Sequence, residues 1–109
     1  MLRVGALTPD LGAEDRAAID AAASTFDARA EIVEGAAHDL VARLEEGELQ
    51  IVIGDLPVTT PFASKVGLSR AFGTVTVGGR NEDRVLAVRK GENGFLTRIE
   101  KALPEKRGQ

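Results

Sequence analysis

The chain has 109 residues, no Cys and a formal net charge of −3. That length suits one domain over residues 1–109 with one core, and 43% hydrophobic against 28% charged residues allows folding without disulfide staples. The missing Cys excludes thiolate metal sites, and the negative balance, with Phe as the only aromatic, speaks against a nucleic-acid partner.

In chain order, residues 2–7 read as a first strand, with Leu2, Val4 and Ala6 on one face. The opening MLRVGALTPD alternates and stops too soon for a signal peptide, so the chain reads as cytoplasmic as it stands, or periplasmic had a leader been removed. No apolar run is long enough to span a membrane. Thr8 to Gly12 is a loop, and Glu14 and Asp15 suit the first turn of a helix over residues 13–26. Its expected buried stripe is Ala17, Ile19, Ala22, Ala23 and Phe26, closed by Asp27. Residues 28–33 form a second strand. A second helix opens at His38-Asp39, puts Leu40, Val41 and Leu44 on one face and closes at Gly47.

Ile51, Val52 and Ile53 carry no polar alternation, as expected of a parallel strand covered on both faces. Asp55, Thr59 and Thr60 follow its carboxyl end, where open α/β sheets bind ligands. A short helical piece is expected over residues 63–66. Residues 73–77 and 84–88 read as two strands of a hairpin, joined by the polar connector Gly78 to Asp83. Phe95, Leu96, Ile99, Ala102 and Leu103 give an amphipathic last helix, which Pro104 stops before a frayed tail from Glu105. The fold class is therefore α/β in three layers: a mixed sheet with a parallel βαβαβ core in the order 2-1-3, a late β-hairpin adding an antiparallel edge strand, and a C-terminal helix.

Several stretches carry a resemblance. They are Leu44 to Gly47, Gln50-Ile51-Val52-Ile53-Gly54, Thr59-Thr60-Pro61, and Val66-Gly67-Leu68-Ser69-Arg70-Ala71-Phe72. Leu86-Ala87-Val88-Arg89-Lys90-Gly91, followed by Phe95-Leu96, is a later match. Together they resemble the type II periplasmic binding protein family, the solute-binding proteins that bring amino acids to ABC importers. In that family a whole second lobe lies between the two groups of motifs; here only the connector near Gly78 does. The resemblance implies a one-lobe version with a solute site, and with no nucleophile–base pair readable in the residues no catalysis is expected. It also implies an Arg clamp for a ligand carboxylate shortly after the Thr of the turn. At that position this chain has Phe62 or Ala63, depending on whether Thr59 or Thr60 takes the Thr position.

The candidate ligand-binding residues are Thr8, Asp10, Asp55, Thr59, Thr60 and Arg70, the nearest basic residue. Each has a structural reading beside the functional one: Asp55 as a turn cap, Asp10 as a loop or N-cap residue, and the threonines as a turn bonding its own backbone. His38 has no nucleophile or orienting carboxylate readable near it, no metal-ligand spacing exists, and Gly78-Gly79 lacks the features of a phosphate loop. No cofactor is expected. The partners that remain are a small polar solute such as an amino acid, and a second copy of the chain supplying the other wall. The alternative is a degenerate lobe that serves as an interaction or dimerisation module and pairs through its hairpin edge.

Overall fold

A computed structural model describes residues 1–105. The parallel core is β1 (Leu2–Ala6), α1 (Ala13–Thr25), β2 (Ala30–Glu34), α2 (Ala37–Glu45) and β3 (Ile51–Ile53). A 3-10 turn at Ala63–Lys65 leads into β4 (Val66–Leu68), followed by β5 (Gly73–Val77), β6 (Arg80–Arg84), β7 (Ala87–Arg89) and α3 (Asn93–Ala102). The five-stranded sheet has the order β2-β1-β3-β7-β4, with β1 parallel to both β2 and β3. The expected 2-1-3 order is thus present, with β3 at the centre.

Alternation within β3 divides the core. Ile51 and Ile53 join Leu2, Val4, Ala18 and Ile99 beneath α1 and α3. Val52 points the other way, to Leu40, Val41 and Leu44 of α2. Helices therefore cover both faces, which explains why β3 has no polar residue.

Helix ends follow local chemistry. Gly47 has φ +84; its amide donates to Leu44 O at 3.0 Å and the Glu48 amide to Arg43 O at 2.9 Å. That pair of bonds satisfies the last carbonyls of α2 in a left-handed cap. Asp27, at φ +49, closes α1 in the same way: its amide donates to Ser24 O and that of Ala28 to Ala23 O. The buried stripe of α1 differs from the expected one. It is Asp15, Ala18, Ile19 and Ala22, while Ala17 is exposed and Ala23 and Phe26 are half-buried.

The late strands also differ. The expected connector is itself mostly strand: β5 pairs with β6 in a separate two-stranded ribbon, from Gly73 opposite Arg84 to Val77 opposite Arg80. Only Gly78 and Gly79 turn the chain, both at positive φ, as a two-residue hairpin loop requires. The sequence Arg-Asn-Glu-Asp-Arg in β6 is polar because the strand is exposed or half-buried until Arg84 turns inward. The hairpin therefore adds no edge strand to the main sheet. The antiparallel strand there is β7, lying between β3 and β4, and it follows two buried residues, Val85 and Leu86, that separate it from β6. Beyond Glu105, the frayed tail expected at residues 106–109 lies outside the described residues. Among the described residues, no helix is long and apolar enough to cross a membrane.

Candidate functional site

The carboxyl ends of β1 and β3 lie side by side, and the chain leaves both through tight backbone contacts. The Leu7 amide donates to Ile53 O at 2.8 Å. Gly54, at φ +126, then passes so close to β1 that a Cβ would sit 2.9 Å from the Leu7 nitrogen and 3.1 Å from that of Thr8. Only glycine fits both the dihedral and the space. Gly54→Ala is expected to cost about 1–3 kcal/mol of stability from backbone strain alone, readable as a lowered midpoint in urea.

Asp55 follows in the left-handed region, at φ +47, which Asp tolerates better than most residues. Its amide donates to Asp15 Oδ2 at 3.1 Å. Asp15 comes from the first turn of α1 and is fully buried. It lies at the positive end of the helix dipole and beside a guanidinium: Arg84 Nη1 donates to Asp15 Oδ2 at 2.7 Å and to Asp55 Oδ1 at 2.8 Å. Arg84 Nε donates to the Thr74 carbonyl at 2.9 Å and lies 3.2 Å from Glu14 Oε1. One buried arginine thus ties together α1, the end of β3 and the base of the hairpin. Gly73 leaves room for this, since a Cβ there would strike the Glu14 carboxylate.

Burial pushes the Asp15 carboxyl above the ordinary aspartate value, although the Asp55 amide and Arg84 hold back part of the rise. Burial alone would lower the Arg84 guanidinium, but the Asp55, Asp15 and Glu14 carboxylates outweigh it and raise it. Asp15 Oδ1 and Thr8 Oγ1, both buried, have no hydrogen-bond partner among the described residues.

The sequence-derived candidates separate into two groups. Thr8, half-buried, and the exposed Asp10 stand past β1, and Asp55 stands past the adjacent strand β3. Thr59 is exposed on the turn that follows. Thr60 is buried and occupied by that turn: its amide donates to Pro57 O at 3.0 Å and its Oγ1 accepts from the Phe62 amide at 3.3 Å. Arg70 is engaged elsewhere. Its guanidinium donates to the carbonyls of Glu100, Leu103 and Pro104, at 2.7, 2.7 and 3.2 Å, where it closes the end of α3. Replacing Arg70 with Ala should leave the crevice unchanged but speed amide exchange through the last turn of α3. Phe62 turns its ring to the edge of His38, with centroids 5.7 Å apart.

Arg84, Asp15 and Glu14 were not among the sequence candidates. One signal was available: Asp15 lies on the same i, i+3, i+4 stripe as Ala18, Ile19 and Ala22. A carboxylate on a buried stripe requires a cation, but the sequence does not say that the cation is 69 residues away. A cavity of about 460 Å³ lies between α1 and the β1–β2 edge, lined by Ala6, Pro9, Leu11, Ile19 and Ile32 with Arg16 and Asp20.

No protein-family model matches the chain, and no curated protein matches it at a significant level. Solved structures do. The arginine-bound form of domain 1 from TmArgBP superposes with a TM-score of 0.77 at 20% identity, covering 94% of this chain and 90% of that one. A periplasmic binding protein of Salmonella typhimurium with high arginine specificity gives 0.74 at 12% identity, covering 94% and 91%. An ancestral amino acid-binding protein, described as a precursor of cyclohexadienyl dehydratase, gives 0.76 at 13% identity, covering 94% and 87%. With its five-stranded mixed sheet between helices, the chain has the fold of a single lobe of a type II periplasmic binding protein.

Proposed function

We propose that the chain is a solute-recognition domain that binds a small polar molecule, without chemistry, in the crevice at the carboxyl ends of β1 and β3. The observation that carries this reading is the charged cluster of Glu14, Asp15, Asp55 and Arg84, at the end of an α/β sheet where such folds bind ligands. Thr8, Asp10, Asp55 and Thr59 are the residues we place against the solute. Thr60 acts through the turn it holds, and Arg70 stands outside the site. The similar fold of an arginine-bound domain 1 supports the idea that one lobe can carry a ligand. The non-catalytic reading is supported by Arg84, which engages one oxygen of each of Glu14, Asp15 and Asp55.

An open single wall desolvates less of a ligand than an enclosed pocket, so affinity should be weak or should depend on a second copy closing the crevice. Thermal unfolding against amino acids, polyamines and organic acids tests the reading. A true ligand at 100 times its Kd adds about 2.7 kcal/mol to stability. A flat response across the panel would sink it. It would then favour the second reading, an interaction module, which gains support from Phe62 or Ala63 standing where the resemblance puts a carboxylate clamp. Sedimentation over a range of protein concentrations separates the two forms of the proposal: self-association strengthened by ligand marks a shared site, and a strict monomer with weak binding marks an open one.

A further inference from the structure

The main sheet ends in two edge strands, β2 and β4. β4 has three residues, whereas β2 has five and carries Ile32, a large apolar side chain that is 45% exposed. The register shows which backbone groups of β2 are open. Leu2 stands opposite Ala30 in the parallel β1–β2 pair, and its amide donates to Arg29 O at 2.9 Å. Residues that bond a given neighbour alternate along a strand, so Arg29, Glu31 and Val33 face β1. Ala30, Ile32 and Glu34 then turn their amides and carbonyls outward, where no strand meets them among the described residues. Their side chains share one face of the sheet. Ala30 and Ile32 line the cavity beside α1, together with Arg16 and Asp20.

We infer that β2 is the docking edge for a second copy of this chain, paired antiparallel about a two-fold axis at Ile32, so that one sheet runs through both copies. With Ile32 opposite Ile32 of the second copy, Ala30 falls opposite Glu34 on either side. Every open residue then faces an open residue, and each such pair exchanges two N–H to O=C bonds. The two Ile32 side chains cover each other at the axis. The charges also suit a copy of the same chain. Arg16 and Asp20 lie four residues apart on the cavity wall, and Arg16 turns its Nε to the Leu11 carbonyl, at 3.0 Å. A two-fold axis reverses their order in the second copy, which sets each cation towards the other copy's anion. On the opposite face Glu31 already has a partner, Arg3, at 3.3 Å. The hairpin is the poorer edge, because Arg84 Nε donates to the Thr74 carbonyl and the Val58 amide to the Asp83 carbonyl, both at 2.9 Å. Pairing through β2 runs along the flank of the sheet and needs no solute, so it is independent of the solute-recognition reading.

Sedimentation equilibrium of the whole chain without solute, from micromolar to millimolar concentration, is the first measurement. Amide exchange at both ends of that range is the second. The chain should dimerise reversibly and weakly, since one strand edge makes a small interface. As the dimer forms, exchange should slow at the Ala30, Ile32 and Glu34 amides, while Glu31 and Val33, which face β1, change little. Ile32→Lys sets two like charges opposite each other and removes the apolar contact. At this exposed position the fold should be kept, and the dissociation constant should rise about tenfold or more. Thr76→Pro is the control for the hairpin. Val77 and Arg80 flank its two-residue turn, so the Thr76 amide faces the outer edge of β5, where Pro is tolerated, and the dimer should be unchanged. A strict monomer at millimolar concentration, a dimer in which the three amides keep their rates, or an Ile32→Lys dimer as tight as the original would each overturn the inference. A dimer lost in a folded Thr76→Pro variant would overturn it too, by moving the interface to the hairpin. All these outcomes leave the solute panel to decide solute recognition by itself.

Discussion

Replacing Arg84 with Met is expected to cost about 3–5 kcal/mol of folding stability, the range seen when one partner of a buried ion pair is removed. The size follows from what stays behind. Asp15 is fully buried, and without Arg84 its Oδ2 keeps only the Asp55 amide as a donor. The hairpin would also lose the side chain that fastens its base to α1. Two companion measurements identify the cause. Asp15→Asn in the Arg84→Met background should recover much of the loss, because the double variant buries no unpaired charge.

The deficit should also depend on pH, with a definite sign. Burial raises the Asp15 carboxyl in the folded chain, and removing Arg84 raises it further. A carboxyl with a raised folded value binds its proton more tightly when folded, so its contribution is fully present at low pH and lost as pH rises through that value. The Arg84→Met deficit should therefore shrink on acidification from neutral pH and grow towards neutrality. A deficit independent of pH would mean that lost packing of the arginine stem, not the uncompensated charge, dominates.

Leu44→Ala should be comparably damaging, at about 2–5 kcal/mol. Leu44 has no exposed surface and joins Leu40, Val41 and Val52 in the layer between α2 and the sheet. It also precedes the Gly47 cap, whose amide bonds the Leu44 carbonyl, so a cavity here lies beneath the turn that aims the chain into β3. Val77→Ala, on the exposed tip of the hairpin, is the matched control. Val77 is 42% exposed, and its loss should change stability by less than about 0.5 kcal/mol. Urea unfolding of the two variants side by side checks both values.

The elements that the sequence made legible are those whose burial is periodic. Leu40, Val41 and Leu44, Gly47, and the unbroken Ile51 to Ile53 specified α2, its cap and the central strand, and with them the parallel order of β1, β2 and β3. The strand β6 was not legible because it has no apolar residue to pattern. The split between β6 and β7 depends on long-range pairing that no local window contains. Past the strand ends, position alone singled out Thr8, Asp10 and Asp55, and the structure brings Gly54, next to Asp55, against the Thr8 backbone. The same reasoning missed Arg84, because a polar strand gives no sign of which residue turns inward. It also gave Arg70 to the crevice, whereas a helix end 30 residues further along the chain takes it.

The most direct test is a residue-resolved titration of the labelled chain with arginine, followed through backbone amide resonances. If solute sits at the carboxyl ends of β1 and β3, the shifts should centre on Thr8, Asp10, Gly54 and Asp55 and fade with distance from them. Shifts confined to the cavity beside Ile19 and Ile32, or spread without focus over the surface, would contradict that placement.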